Sequence, residues 1–315
     1  MVEDIIIIGS GPAGLTAALY SAREAFNPLV ISGMSAGGQL LLTNEVENYP
    51  GFPDGVLGPE LMDMMRKQAS KFGARFVDGD ATSVDFKSRP YKVSVGSQTF
   101  EANCVIVATG ASANWLGIES EKKFIGRGVS SCATCDAPFF KGKNVIVVGG
   151  GDTAMEDSIF LTKFASSVTI VHRRDQLRAS NIMQERAKAN TKIKFIWNSV
   201  IEEIKGDAKV AAVSLRNVVT NEVTEMPIDG IFVAIGYSPN TAIFKGQLEL
   251  DANGYIVTKD EVETEHEGIY VAGDVADFKY RQAVTAAGSG AKAALHAREY
   301  IIKMKYEQSK NKPQA

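Results

Sequence analysis

The sequence predicts an α/β protein of two Rossmann-like dinucleotide-binding domains with three-layer ββα character, the second inserted into the first. Two glycine fingerprints, each between an apolar strand and a helix, carry that expectation. A second pair of signals, strands that end in glycine, repeats downstream in the same order. Gly9 to Gly149 spans 140 residues and Gly110 to Gly236 spans 126, so a βαβ half followed by a β-meander is duplicated.

Asp4 to Ile8 breaks into Gly9-Ser10-Gly11-Pro12-Ala13-Gly14, which reads as a buried parallel strand and glycine turn, with a helix over 15–24. The strand Leu29 to Ile31 follows, Met62, Met64 and Met65 look like one face of a packed helix, and 75–100 reads as short alternating strands. Cys104 to Gly110 closes this unit in Ala108-Thr109-Gly110. The second unit repeats the order: strand 144–148, then Gly149-Gly150-Gly151-Asp152-Thr153-Ala154, a helix over 155–164, the strand Val168 to Val171, alternating strands over 194–226, and Ile231 to Gly236.

Gly268 to Asp274 is one more strand running into glycine, before a helix from Ala283 to about Lys303, and it has no fingerprint of its own. It needs a sheet to join. The second unit already closes at Gly236, so this strand completes the first. Residues 1–112 and 242–306 are therefore expected to form one domain and 113–241 the inserted one. The polar, lysine-rich 307–315 reads as a disordered tail.

The chain has 315 residues, of which 45% are hydrophobic and 23% charged, as in ordinary globular proteins with buried cores. A net charge of −3 supplies no basic field for nucleic acid or an anionic membrane. Glu3 and Asp4 precede a short apolar run, unlike a secretory signal, and no apolar stretch has the length of a membrane span. Three cysteines make a structural disulfide framework improbable and fit a reducing, cytoplasmic setting.

In the first fingerprint Gly9 permits the tight turn, Gly11 lets backbone approach a pyrophosphate, and Gly14 allows close packing of helix on strand. The acidic residue expected about 20 residues on to hold a ribose is absent, because Leu29 to Ile31 ends in Ser32-Gly33-Met34. In the second unit the matching strand ends in His172-Arg173-Arg174, with Arg178 beyond. Forked guanidinium donors there suit a 2′-phosphate and favour NADPH over NADH; the plainer alternative is a solvated basic strand end. Between the fingerprints, Cys132 and Cys135 lie three apart and could bridge if the segment turns, as a redox pair does. Structural zinc would need four ligands and no histidine is near, so no metal is expected. Asp136 could serve the thiols as acid and base, or simply cap a helix. Cys104 reads as a core residue.

With these motifs in view, the chain resembles the low-molecular-weight, bacterial-type thioredoxin reductases. The likeness runs from the first strand to the last helix. It rests on Gly9 to Gly14, Gly37-Gly-Gln-Leu40, Glu45-Val-Glu-Asn-Tyr-Pro-Gly51, Ala108-Thr-Gly-Ala111, Cys132-Ala-Thr-Cys-Asp136, Gly149 to Ala154, His172-Arg-Arg-Asp175, Gly236-Tyr-Ser-Pro-Asn240, Gly273-Asp274 and Arg281-Gln-Ala283. The resemblance implies an FAD domain with an inserted NADPH domain, a homodimer, and thioredoxin as the disulfide substrate.

Carried over, it places the FAD pyrophosphate on Gly9, Ser10, Gly11, Pro12, Ala13 and Gly14, with Gln39, Asn48, Thr109 and Gly110 lining the same cofactor. Gly273 and Asp274 meet the ribityl chain, and Arg281, Gln282 and Ala283 meet the flavin ring. For NADPH it implies Gly149, Gly151, Asp152, Thr153 and Ala154, the group His172, Arg173, Arg174 and Arg178, and Ile235 with Gly236. Electrons would pass from NADPH through flavin to a Cys132–Cys135 disulfide, Cys135 nearer the flavin, with Asp136 managing the proton and the inserted domain rotating between half-reactions. Larger disulfide reductases carry their cysteines near the first fingerprint, whereas this chain has none between Gly14 and Cys104. Asp152 stands where asparagine is also common, and Ala137 where glycine is frequent. Rival readings are the flavoprotein subunit of a peroxide-reducing system, a flavodoxin or ferredoxin reductase, and a non-catalytic redox-sensing module.

Overall fold

The computed structural model describes residues 2–43 and 45–310. The chain divides into two compact units, Met1–Ser112 with Ser238–Ala315, and Ala113–Tyr237.

The first unit is built on a seven-stranded sheet. Arg75–Val77, Leu29–Ile31, Val2–Ile8 and the carboxy-terminal half of Gln98–Val107 run parallel, and Ile269–Val271 joins the far side of that last strand. The amino-terminal half of Gln98–Val107 instead pairs antiparallel with Tyr91–Val95, which pairs with Ala81–Asp85. One ten-residue strand thus belongs to both the parallel sheet and the meander. Ile5 to Ile8 explain the layering, since all four are essentially buried. Ile5 and Ile7 face the alanine-rich helices Pro12–Arg23 and Ala283–Lys310, while Ile6 and Ile8 face Phe86, Tyr91 and Phe244 on the meander side. Each such isoleucine is worth roughly 1.5–3 kcal/mol of burial. The small helix faces are needed: a Cβ on Gly290 would stand 2.1 Å from the Ala13 carbonyl oxygen.

The second unit repeats the plan with a parallel five-stranded sheet in the order Val129–Ser130, Gly230–Val233, Asn144–Val148, Ser167–Val171, Ile193–Ile196. Val145 and Val147 pack with the helices Asp152–Leu161 and Asn181–Ala189, and Ile146 packs toward the antiparallel strands Ser199–Gly206, Val210–Asn217 and Val223–Pro227. The strands Ala111–Ala113 and Tyr237–Pro239 pair where the chain passes between the units.

Several local expectations change. Arg75–Val77 and Ile193–Ile196 belong to the parallel sheets and not to the meanders; each follows a helix, and that crossover returns it parallel beside Leu29–Ile31 or Ser167–Val171. The fingerprint helices begin earlier, at Pro12 and Asp152, because the middle glycine of each turn, Gly11 or Gly151, is the N-cap and the last three fingerprint residues are already helical. Met62 is buried but Met64 is 38% exposed, being two residues and about 200° further round the helix. The last helix continues to Lys310, so 307–310 are helical and not tail: Glu, Gln and Lys sustain a helix, and Lys310 lies over the Tyr306 ring one turn back. Residues 311–315 of the expected tail lie outside the described residues. Among the described residues no helix is long and apolar enough to cross a membrane.

Candidate active site

Each fingerprint is a turn that only glycine can close. A Cβ on Gly9 (φ 113°) would stand 2.2 Å from the Ala108 carbonyl oxygen, and one on Gly14 would stand 2.0 Å from the Gly9 oxygen. Gly11 is different: a Cβ there meets nothing within 4 Å, so its surface faces open space. No side chain caps the helix that starts at Pro12, which leaves its amino-terminal N–H groups and positive dipole end for an anion. The Ser10 hydroxyl is not open to a ligand in the same way; it donates to the Ser32 carbonyl at 2.6 Å and accepts from the Gly37 N–H at 3.1 Å. It ties the fingerprint to the loop that carries Gln39, which is exposed.

Asp274 lies beside this helix start, because a Cβ on the preceding Gly273 (φ 80°) would come 3.0 Å from the Ala13 Cβ. The Gly273 N–H donates to Ser289 Oγ at 2.8 Å. Asp274 Oδ1 is buried and, among the described residues, has no hydrogen-bond partner. Burial, with the nearby charge of Asp277 and against that of Arg281, pushes the carboxyl up to about 7. An orphaned acceptor of this kind fits a ligand hydroxyl. A tight turn follows, in which Asp277 accepts the N–H groups of Lys279 and Tyr280, Arg281 takes a left-handed conformation (φ 47°), and Gln282 Oε1 accepts from Asn48 Nδ2 at 3.2 Å. Gln282 thereby leads into the helix at Ala283. Thr109 and Gly110 are fixed by Asn240, which receives the Thr109 hydroxyl on its carbonyl oxygen and donates its side-chain amide to the Thr109 oxygen and its backbone N–H to the Gly110 oxygen.

In the second unit Cys132 and Cys135 form a disulfide with Cα atoms 5.3 Å apart. One short helical turn, Ala133–Asp136, brings them together, with the N–H groups of Cys135 and Asp136 both donating to the Cys132 carbonyl. Ser130 organises this turn: its hydroxyl accepts the Cys132 N–H at 3.0 Å and bonds the Asp136 carboxyl. Burial pushes the Asp136 carboxyl above its ordinary value, and the Ser130 bond opposes the shift. Among the described residues Asp136 makes no helix-capping bond, and it stands at the end of the turn.

The second fingerprint closes as the first does: a Cβ on Gly149 would stand 2.4 Å from the Ala234 oxygen, the residue that leads into Ile235 and Gly236 (φ 101°), while Gly151 opens on free space. Its helix also lacks a side-chain cap, and Thr153 and Ala154 lie in the first turn. Arg173, Arg174 and Arg178 are exposed and, among the described residues, none has a carboxylate partner. His172 is buried under the loop, with Nε2 3.0 Å from the Gln176 carbonyl oxygen, and burial lowers its pKa. Asp152 turns to Ser180, accepting its N–H at 2.7 Å and its hydroxyl at 2.9 Å. Sequence reasoning gave no role to Ser130, Ser180 or Ser289; only Ser180, just before a helix, carried a local signal. Cys104 is fully buried, and burial pushes its thiol far up.

A family model for pyridine nucleotide-disulphide oxidoreductases matches residues 3–290. The thioredoxin reductase of Streptomyces coelicolor is 52% identical over 309 residues, which cover 97% of this chain and 96% of that protein. Among solved structures, the thioredoxin reductase of Streptococcus pyogenes is 43% identical, covers 96% of this chain and 99% of its own, and superposes with a TM-score of 0.92. The Lactococcus lactis thioredoxin reductase in its FR conformation is 42% identical with the same coverage and a TM-score of 0.65.

Proposed function

Because the chain belongs to the thioredoxin reductases, within the pyridine nucleotide-disulphide oxidoreductases, we infer that it is an NADPH-dependent flavoprotein that reduces the disulfide of thioredoxin. The observation that carries this reading is the Cys132–Cys135 disulfide beside a half-buried carboxyl, in the same unit as a second glycine turn followed by arginines that have no carboxylate partner among the described residues.

FAD fits the first unit, where Gly9 to Gly14 would hold its pyrophosphate, Asp274 a ribityl hydroxyl, and Arg281, Gln282 and Ala283 its ring, with Gln39, Asn48, Thr109 and Gly110 around it. When bound, FAD supplies a two-electron carrier between a nicotinamide hydride and a disulfide. NADPH fits Gly149, Gly151, Thr153 and Ala154 with Ile235 and Gly236, and Arg173, Arg174 and Arg178 would receive the 2′-phosphate. Over a full cycle NADPH and one proton convert the substrate disulfide to a dithiol and leave NADP⁺. In the last half-reaction a thiolate of the Cys132–Cys135 pair attacks a thioredoxin sulfur to form a mixed disulfide. The second sulfur displaces reduced thioredoxin and restores the Cys132–Cys135 bond. Asp136, whose carboxyl burial pushes above its ordinary value, would take and return the proton of the pair.

The nicotinamide site and the disulfide share one unit, so movement of that unit would present each in turn. A homodimer in the cytoplasm completes the reading. A Cys135→Ser variant should retain bound FAD and accept hydride from NADPH, bleaching at the flavin band, yet lose thioredoxin reduction in a coupled assay. Normal thioredoxin turnover by that variant would refute the relay.

A further inference from the structure

We propose that Asp152 is a positioning residue for NADPH specificity, which holds the Arg178 loop onto the second fingerprint and does not itself touch the nucleotide. The proposal rests on the NADPH reading given above. Three consecutive backbone N–H groups meet the fingerprint: Arg178 and Ala179 donate to the Gly150 carbonyl oxygen at 2.7 and 3.0 Å, and Ser180 donates to Asp152 Oδ1 at 2.7 Å. The Ser180 hydroxyl adds a second bond to the same oxygen at 2.9 Å. The other end of the loop is closed by His172, whose ring lies so near Gly150 that a Cβ there would stand 2.3 Å from Cε1, and whose Nε2 pairs with the Gln176 oxygen.

A loop that must present a guanidinium to a phosphate loses affinity in proportion to the freedom it gives up on binding. Here that freedom is removed beforehand. Asp152 bonds the Ser180 amide and hydroxyl, and no bond joins it to the Arg178 guanidinium among the described residues, so Arg178 stays available to an anion. What the position requires is an acceptor oxygen, and a side-chain amide offers one as well as a carboxylate does. Asparagine should therefore substitute, and alanine should not.

Calorimetry on the FAD-loaded enzyme tests this with two probes, adenosine 2′,5′-bisphosphate and ADP, which differ in the 2′-phosphate. Asp152→Ala should weaken the bisphosphate about tenfold and ADP less than about twofold, with the NADPH-to-NADH ratio of kcat/KM falling in parallel. Asp152→Asn should stay within about twofold of the parent on both probes. Adding Asp152→Ala to Arg178→Met should cost nothing beyond Arg178→Met alone, since the two act through one group. Equal weakening of both probes by Asp152→Ala, no change in either, or full additivity in the double variant would overturn the proposal. If Arg178→Met leaves the preference for the bisphosphate intact, Arg178 has no part in reading the 2′-phosphate and this proposal fails, while the wider 2′-phosphate reading is judged by Arg173 and Arg174.

Discussion

Replacing Asp274 with asparagine and lowering the pH through neutrality perturb the same buried oxygen. With the carboxyl raised to about 7, roughly one-tenth of the apoprotein carries an ionised Asp274 at pH 6 and roughly nine-tenths at pH 8. If the carboxylate accepts the ribityl hydroxyl, FAD binding must expel a proton below neutrality, and affinity should be about tenfold weaker at pH 6 than at pH 8, or ~1.4 kcal/mol. Asp274→Asn should abolish that dependence. It should also weaken binding at pH 8 by about 1.5–3 kcal/mol, the usual worth of a hydrogen bond to a charged group. The sign reverses for stability. Because folding raises this pKa above its ordinary 3.8, the apo fold holds the extra proton between about pH 4 and 7, and its stability falls as pH rises through that window. The asparagine variant should lose this slope in urea unfolding of the apoprotein. Quenching of flavin fluorescence on titration into FAD-stripped protein, from pH 5.5 to 8.5 at fixed ionic strength, measures the binding. A flat profile for the parent, or equal affinities for parent and variant at pH 8, would refute the reasoning.

Three further outcomes are expected. Gly14→Ala places a Cβ 2.0 Å from the Gly9 oxygen, with backbone on both sides, and should destabilise the first unit by more than about 2 kcal/mol and yield protein of low flavin content, read by urea unfolding and absorbance. Glutamine at Arg173 and Arg174 together should raise the KM for NADPH at least tenfold while moving that for NADH less than about threefold; equal effects in steady-state assays would point to a merely solvated strand end. Asp136→Asn should slow the disulfide half-reaction about 10²-fold and leave the first absorbance drop on NADPH addition unchanged in stopped flow, whereas a fall in both rates would make Asp136 structural.

Local pattern sufficed for much of the molecule because the features concerned are local. Ile5 to Ile8 before Gly9 can only be a strand covered on both faces, and the positive φ at Gly9 with the contact at Gly14 forces the tight turn between strand and helix. The pairing of Cys132 with Cys135 is likewise within one turn of chain. Arg75–Val77 and Ile193–Ile196 were misplaced because a three- or four-residue strand carries almost no period, and its partner is chosen by the crossover before it. Met64 and Glu307 to Lys310 were misread where composition spoke and geometry did not.

Sequence by itself determined the two glycine turns, the thiol pair and the run of arginines after the second turn, each of which depends on residue type at short spacing. Tertiary structure alone decided what those groups touch. Asp152 faces Ser180, His172 lies beneath Gly150, and Asp274 keeps an oxygen without a partner, because burial and hydrogen-bond pairing are set by chain segments that meet only in the fold. Every aspartate starts from the same ordinary pKa, and only the neighbours that remove the water around Asp274 raise it to about 7.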